Sequence, residues 1–265
     1  MPKALAQPNL TAGSMYSQSA RLIFKRHRSL IIQPLLILAL SAALAITLSR
    51  AHLDVIEKVT INQKFIFRAI QDHLILSFAS AAVILAVAIP AGILLTRRRY
   101  KKFTPIVLIL ANIGQAFPAV GVLIIAGILF GFGKPIAIFS FAAFGILPIL
   151  RNTIVGLQEI DPFIIESALG MGMTPKQALR QIELPLAVPV ILAGVRTTLI
   201  LTVGVATLGV FVNGGGLGTL IIPGLKLNRE LVLVTGGILT VIVAFTMDWL
   251  ARAACLLYTS PSPRD

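Results

Sequence analysis

Six long apolar stretches, near residues 31–49, 73–96, 105–130, 135–155, 186–212 and 231–251, limit the architectures open to this chain. A helix crossing roughly 30 Å of hydrocarbon needs about 20 mostly apolar residues. Inside lipid every backbone polar group must be paired internally, which a helix does within itself. The stretches therefore predict an all-α fold, a polytopic membrane helical bundle of about six transmembrane helices. Charge content agrees. Only 12% of the 265 residues are charged, against about 25% in soluble domains. So few charges cannot coat a soluble globule of this size, which excludes an ordinary cytosolic enzyme. The net charge of +13 would suggest nucleic acid on a soluble chain. On an apolar chain it marks the ends of membrane spans instead, so no nucleic-acid partner is expected.

Pro90, Pro118, Pro148 and Pro189 fall inside the apolar stretches, which membrane bundles tolerate when neighbours re-pair the freed backbone groups. The run Asn112-Ile-Gly-Gln-Ala-Phe-Pro118 makes the third span look irregular, and only Gly131-Phe-Gly-Lys-Pro135 separates it from the fourth. Lysine and arginine set the orientation. With Lys3, Arg21, Lys25, Arg26 and Arg28 inside, the cluster Arg97-Arg-Arg-Tyr-Lys-Lys102 falls inside as well, after two spans. The positive-inside rule then places both termini in the cytoplasm of a plasma-membrane protein. A cleaved signal peptide ending near Ser41-Ala-Ala-Leu-Ala45 is the rival for the first span, but the polar lead before it is too long. Residues 255–265, Cys255 to Asp265, break the pattern and read as the translation of a transposon-based sequencing adaptor. They are expected to be an artefact, which leaves no native cysteine and the true end beyond Ala254 unseen.

No Gly-x-x-x-x-Gly-Lys-Ser/Thr loop is present, so ATP hydrolysis by that route is not expected on this chain. Asn213-Gly-Gly-Gly-Leu-Gly218 lacks the dinucleotide spacing and reads as a mobile external turn. His27, His52 and His73 are far apart and near predicted membrane edges, as expected of interfacial or loop histidines and not of metal ligands. Gly127 and Gly131 form a small-x-x-x-small pair that would allow close helix packing. The middles of the spans are almost bare of charge, whereas ion-coupled carriers place ionisable relays there. Arg196 and Asp248 read as snorkelling or helix-pairing residues. If this chain transports, its energy comes from elsewhere.

One loop between spans is too regular to be slack. Asp161-Pro162 combines an N-cap residue with proline at the first helical position. Thr174-Pro-Lys-Gln177 repeats the device and adds glutamine at the third position, a capping box. Gly170 and Gly172, between the two starts, can take the positive φ of a tight helix–helix turn. The loop thus predicts two short helices joined by a hinge at the inner membrane surface. Periodicity alone leaves open an amphipathic stretch that merely lies on lipid.

The same residues carry a resemblance. Glu166-Ser-Ala168, three residues, Gly172, nine residues and Ile182-Glu-Leu-Pro185 resemble the EAA loop of ABC-importer permeases, with Ser167 the one departure, small for small. Leu147-Pro-Ile-Leu-Arg-Asn-Thr153, Met171-Gly-Met-Thr-Pro175, Glu183-Leu-Pro-Leu-Ala-Val-Pro189 and the glycine-rich run at 213–218 look like its osmoprotectant branch, the glycine betaine, carnitine and choline permeases. The resemblance covers about residues 66–254. Residues 1–65, with the first span and an external loop, lie outside it.

What the resemblance implies is a type-1 permease fold and a division of labour. Two permease subunits, identical or paralogous, would form the pathway. Two cytoplasmic ABC ATPases would bind and hydrolyse ATP, and an external binding protein would deliver solute. The helix with Glu166, Ser167 and Ala168 would dock in a cleft of the ATPase. Gly172 would shape that element, and Ile182, Leu184 and Pro185 would anchor it to the fifth span. No catalytic, cofactor or metal site is expected on this chain. Substrate residues are harder to read. Quaternary ammonium is held by aromatic cages, but Trp249 reads as an interfacial belt residue and the phenylalanines along 117–144 as packing. Two alternatives stay open: a permease for another solute, such as an amino acid, and a self-contained channel or secondary carrier.

Overall fold

The structure is a computed structural model that describes residues 12–259, with side chains from Leu30 to Leu256. The side chains of the N-terminal basic residues and of His27 lie outside that range, as do residues 260–265 of the suspected adaptor. Every regular element among the described residues is helical. In order they are α1 (Ala12–Arg50), α2 (Val55–Thr60), α3 (Gln63–Thr96), α4 (Thr104–Ala116), α5 (Ala119–Phe130), α6 (Lys134–Gln158), α7 (Pro162–Gly170), α8 (Pro175–Ala178), α9 (Leu184–Ala206), α10 (Gly218–Lys226) and α11 (Glu230–Thr259).

Five helical runs are long and apolar enough to cross a membrane, and the bent pair α4–α5 makes a sixth crossing if taken as one span. The six apolar stretches are thus all helical. The third is broken: α4 and α5 meet at 92°. Pro118 has no N–H and its ring disfavours helical geometry at the residue before it. Phe117 accordingly sits extended, at φ −68°, ψ 144°. Pro90, Pro148 and Pro189 lie inside unbroken helices.

At the centre α6 packs along both α3 and α9. Glycines set how closely they approach. A Cβ at Gly92 would lie 2.7 Å from Thr153, and one at Gly194 2.8 Å from Asn152. Small residues let membrane helices gain close van der Waals packing where no hydrophobic effect drives them together. Around this centre α11 packs on α9 and α10, and α1 on α11. The apolar clusters follow the same lines, one of them joining Leu157, Ile160, Ala187 and Ile191.

Several expectations need correction. The glycine-rich run is packed, not loose. Gly214, Gly216, Leu217 and Gly218 are buried between a 3-10 turn (Thr207–Val212) and α10. Gly215 and Gly216 take φ of +83° and +89°, and a Cβ at Gly215 would meet the Asp72 carboxylate at 2.6 Å. Asp72 itself pairs with Lys134 at 2.5 Å. His73 is not an exposed loop histidine: it lies within α3 and is fully buried, its Nδ1 accepting from the Leu217 N–H at 3.4 Å. Gly127 does pack closely, against Val212, but Gly131 ends α5 at φ +98°. At the far end, α11 runs to Thr259.

Candidate functional site

The helical hairpin between α6 and α9 is built as its caps dictate. The Asp161 carboxylate accepts the Phe163 N–H at 2.9 Å, with Pro162 opening α7. The chain reverses at Gly172, φ +91°, where an L side chain would be strained. The Met173 N–H returns to the Ala168 carbonyl at 3.2 Å. Thr174 and Gln177 form the reciprocal capping box that opens α8.

Beyond α8 the structure departs from two separate short helices. Residues Pro175–Val212 form one helical run, entered through a π turn at Leu179–Glu183, where the Leu184 N–H reaches back to the Leu179 carbonyl. The extra residue of a π turn gives the helix room for Pro185, whose ring would clash with a carbonyl four residues earlier in an α-helix. The second half of the hairpin is therefore the end of the span itself.

The seven residues singled out divide into two groups. Glu166 and Ser167 are exposed on α7, and Gly172 is exposed at the reversal, while Ala168 is buried at 2% exposure. Phe163, near the start of α7, and Met171, just past its end, are 75% and 74% exposed and so are bare apolar groups on either side of Glu166 in the chain. Leu184 packs into the cluster of Leu157, Ile160, Ala187 and Ile191. Ile182 is half-buried, whereas Pro185 is exposed.

Two residues that the spacing did not single out hold the base of the hairpin. Arg97, at the end of α3, donates to both carboxylate oxygens of Glu183, at 3.0 and 2.6 Å. It also donates to the Ile93 carbonyl at 3.3 Å. Glu183 is 4% exposed, and a two-pronged guanidinium–carboxylate pair fixes direction as well as distance. The signal was present: a carboxylate inside Ile182-Glu-Leu-Pro185 and an arginine run at the end of the second apolar stretch. Above this pair a cleft of about 580 Å³ is lined by Thr96, Arg97, Lys101, Gln158, Glu166 and Glu183, among others.

A second polar cluster joins three spans. Asp248 on α11 accepts from Arg196 on α9, from Gln33 on α1 at 2.5 Å and from Arg252 at 3.2 Å. Of the two readings for Arg196 and Asp248, snorkelling or helix pairing, the structure shows pairing, here with each other, and α1 shares in it. Trp249 donates its indole N–H to the Leu30 carbonyl at 3.0 Å. Of the phenylalanines, Phe141 is core, whereas Phe117, Phe130, Phe132 and Phe139 are exposed. No group of three or more metal-ligating side chains occurs among the described residues.

The chain matches the family described as binding-protein-dependent transport system inner membrane component over residues 88–254. It is 38% identical over 183 residues to the choline transport system permease protein OpuBB of Bacillus subtilis (strain 168), covering 69% of this chain and 83% of that one. Identity to the osmoprotectant import permease protein OsmY of Salmonella typhimurium is 41% over 180 residues, 68% of this chain and 76% of that one. The carnitine transport permease protein OpuCD of Listeria monocytogenes is 35% identical over 196 residues, 72% of this chain and 87% of that one. Among solved structures, a chain of the inward facing MetNI methionine ABC transporter superposes with a TM-score of 0.65 at 25% identity, spanning 75% of this chain and all of that one.

Proposed function

We propose a function from one premise: the chain belongs to the binding-protein-dependent transport system inner membrane components, among the osmoprotectant ABC-importer permeases. It is a membrane-spanning permease subunit, and its solute is a small quaternary-ammonium osmoprotectant of the glycine betaine, carnitine and choline type. Energy comes from ATP bound and hydrolysed on a separate cytoplasmic ATPase. A second permease subunit completes the pathway, and an external binding protein delivers solute.

The observation that carries this reading is the join between α7 and the span. α7 presents Glu166 and Ser167 beside exposed Phe163 and Met171. The helical run from Pro175 to Val212 leads from its base into the bundle without a break. We assign α7 as the element that enters the ATPase, with Ala168 and Gly172 shaping it and Ile182, Leu184 and Pro185 joining it to the span. Nucleotide can shift an inward/outward equilibrium only through contacts that differ between the two states. A stiff helix held by Arg97 and Glu183 carries such a difference into the span. The basic cluster at residues 97–102, which adjoins this hairpin, supports a cytoplasmic position for it and for both termini. Residues 66–254 form the permease domain in this reading, and 255–265 are foreign to it.

The test is uptake of labelled glycine betaine after osmotic upshift, in cells that also make the ATPase and binding protein. Gly172→Asp is expected to insert normally and to abolish uptake, because an aspartate at φ +91° distorts the reversal and adds charge to the docking face. Normal uptake by that variant would overturn the coupling assignment. Uptake of methionine in place of betaine would overturn the solute.

A further inference from the structure

The elbow between α4 and α5 carries polar groups that lipid cannot serve. α4 starts beside the basic cluster, where the Thr104 hydroxyl donates to the Leu95 carbonyl at 2.8 Å. Its Val107, Leu108 and Ala111 pack into the cluster of Ile84, Ala88, Leu95 and Ile149, so it runs back into the bundle along α6. Eleven residues separate Thr104 from Gln115, about 16 Å at the helical rise. That is roughly half of a 30 Å hydrocarbon layer.

At this depth Asn112, Ala116, Phe117 and Pro118 are exposed, and Gln115 is half-buried. The Asn112 NH₂ donates to the Leu108 carbonyl at 2.7 Å, so its amide oxygen takes no part in that bond. Pro118 has no N–H for the carbonyl of Gly114, and nothing lies within 4 Å of where a Gly114 side chain would begin. The last four carbonyls of a helix lack intrahelical partners in any case. Irregular backbone at membrane depth persists only where protein covers it or where it lines a water-filled cavity. Broken helices in transporters mark binding sites for the same reason. By helical angle Asn112 and Gln115 share a flank of α4, while Ile106, Leu110 and Ile113 form the apolar outer face.

We infer that this elbow lines the translocation pathway and contacts the solute in passage: the Asn112 and Gln115 amide oxygens, the open α4 carbonyls and the Phe117 ring receive a quaternary ammonium. Such a cation donates no hydrogen bonds, so it is recognised by oriented carbonyl dipoles and an aromatic face. The solute class rests on the function proposed above, whereas the pathway position rests on the elbow alone.

Cysteine accessibility tests both parts in the assembled transporter. The substitutions are made in a chain in which every other cysteine is replaced by serine, Cys255 included. Asn112→Cys, Gln115→Cys and Phe117→Cys are each expected to react with a membrane-impermeant thiol reagent, more slowly when glycine betaine or choline is being transported. Leu110→Cys is expected to stay unreacted. Silence at all three elbow positions, or equal reaction at Leu110, would overturn the inference. So would labelling that no transported solute slows. If the unsubstituted chain imports none of the three osmoprotectants, the functional reading fails, and labelling confined to the elbow would still place it in the pathway. Asn112→Leu with Gln115→Leu is expected to keep membrane level and ATPase co-purification and to raise the KM for uptake about tenfold. An unchanged KM would remove these amides from the solute site.

Discussion

Asp248 serves three side chains at once, and their contributions are unequal. Gln33 offers a neutral hydrogen bond; such interhelical bonds in membranes average about 0.6 kcal/mol. Arg196 is a charge within a span, and an uncompensated arginine near a span centre costs about 2.5–3.5 kcal/mol on insertion scales. Gln33→Leu should therefore lower thermal stability in detergent slightly, while Asp248→Leu should lower it severely or reduce the amount inserted. Equal effects of the two substitutions would contradict this ranking. Gly215 is the other residue with little freedom. Its φ of +83° lies where L side chains cost about 1–3 kcal/mol, and a methyl group would press on the Asp72 carboxylate. Gly215→Ala should lower the melting temperature, and Asp72→Ala added to it should restore none of the backbone share.

α10 is held by close approach. A Cβ at Gly218 would lie 1.8 Å from the Thr207 carbonyl oxygen and 2.9 Å from its carbon, backbone atoms that cannot swing aside as a side chain could. Gly218→Ala should displace α10 from the 3-10 turn and cost more than the about 1–3 kcal/mol of ordinary overpacking, read as loss of folded protein on gel filtration in detergent. The sequence made some elements legible and hid others. Asp161, Pro162, Thr174 and Gln177 announce their helix starts because a cap is a local event within four residues. The break at Phe117-Pro118 was legible as irregularity, though not as a right-angle bend, since the angle depends on what α4 and α5 each pack against. Asn213–Gly218 reads as loose in sequence because glycine permits either a loose turn or a tight one. Only distant Asp72, His73 and Thr207 decide which. The same distance hid the burial of His73 and the pairing of Arg97 with Glu183. The continuity of α8 with α9 was hidden by Pro185, which reads as a helix start unless a π turn precedes it.

At the scale of the molecule, the ends of the bundle differ. Arg97 and Glu183 tie α3 to the hairpin at one end; at the other, Lys134–Asp72 ties the start of α6 to α3 and Arg229–Asp54 ties two loops. A fluorescent protein fused after Lys102 should light up inside cells, and a periplasmic alkaline phosphatase reporter fused after Asn228 should be active. The opposite pattern would invert the proposed orientation. Five of the apolar helical runs are unbroken, and the solved methionine transporter chain is spanned in full by 75% of this one, so there is residual length to account for. α1 is attached chiefly through α11, by Gln33 and the Leu30 carbonyl among others.

The bare apolar surface of Phe163 and Met171 also bears on how much of this subunit a cell can keep. Unsheltered aromatic and thioether groups in water are the kind of surface that chaperones and proteases act on. If the proposed ATPase partner covers this surface, a copy made in excess of it would advertise its own surplus, and turnover would trim the permease to the number of motors on hand. Pulse-chase labelling should then show a shorter half-life for the chain expressed alone than with its ATPase, with Phe163→Ser and Met171→Ser together narrowing the gap. Supply of the motor, more than transcription of the permease, would set the abundance of the transporter.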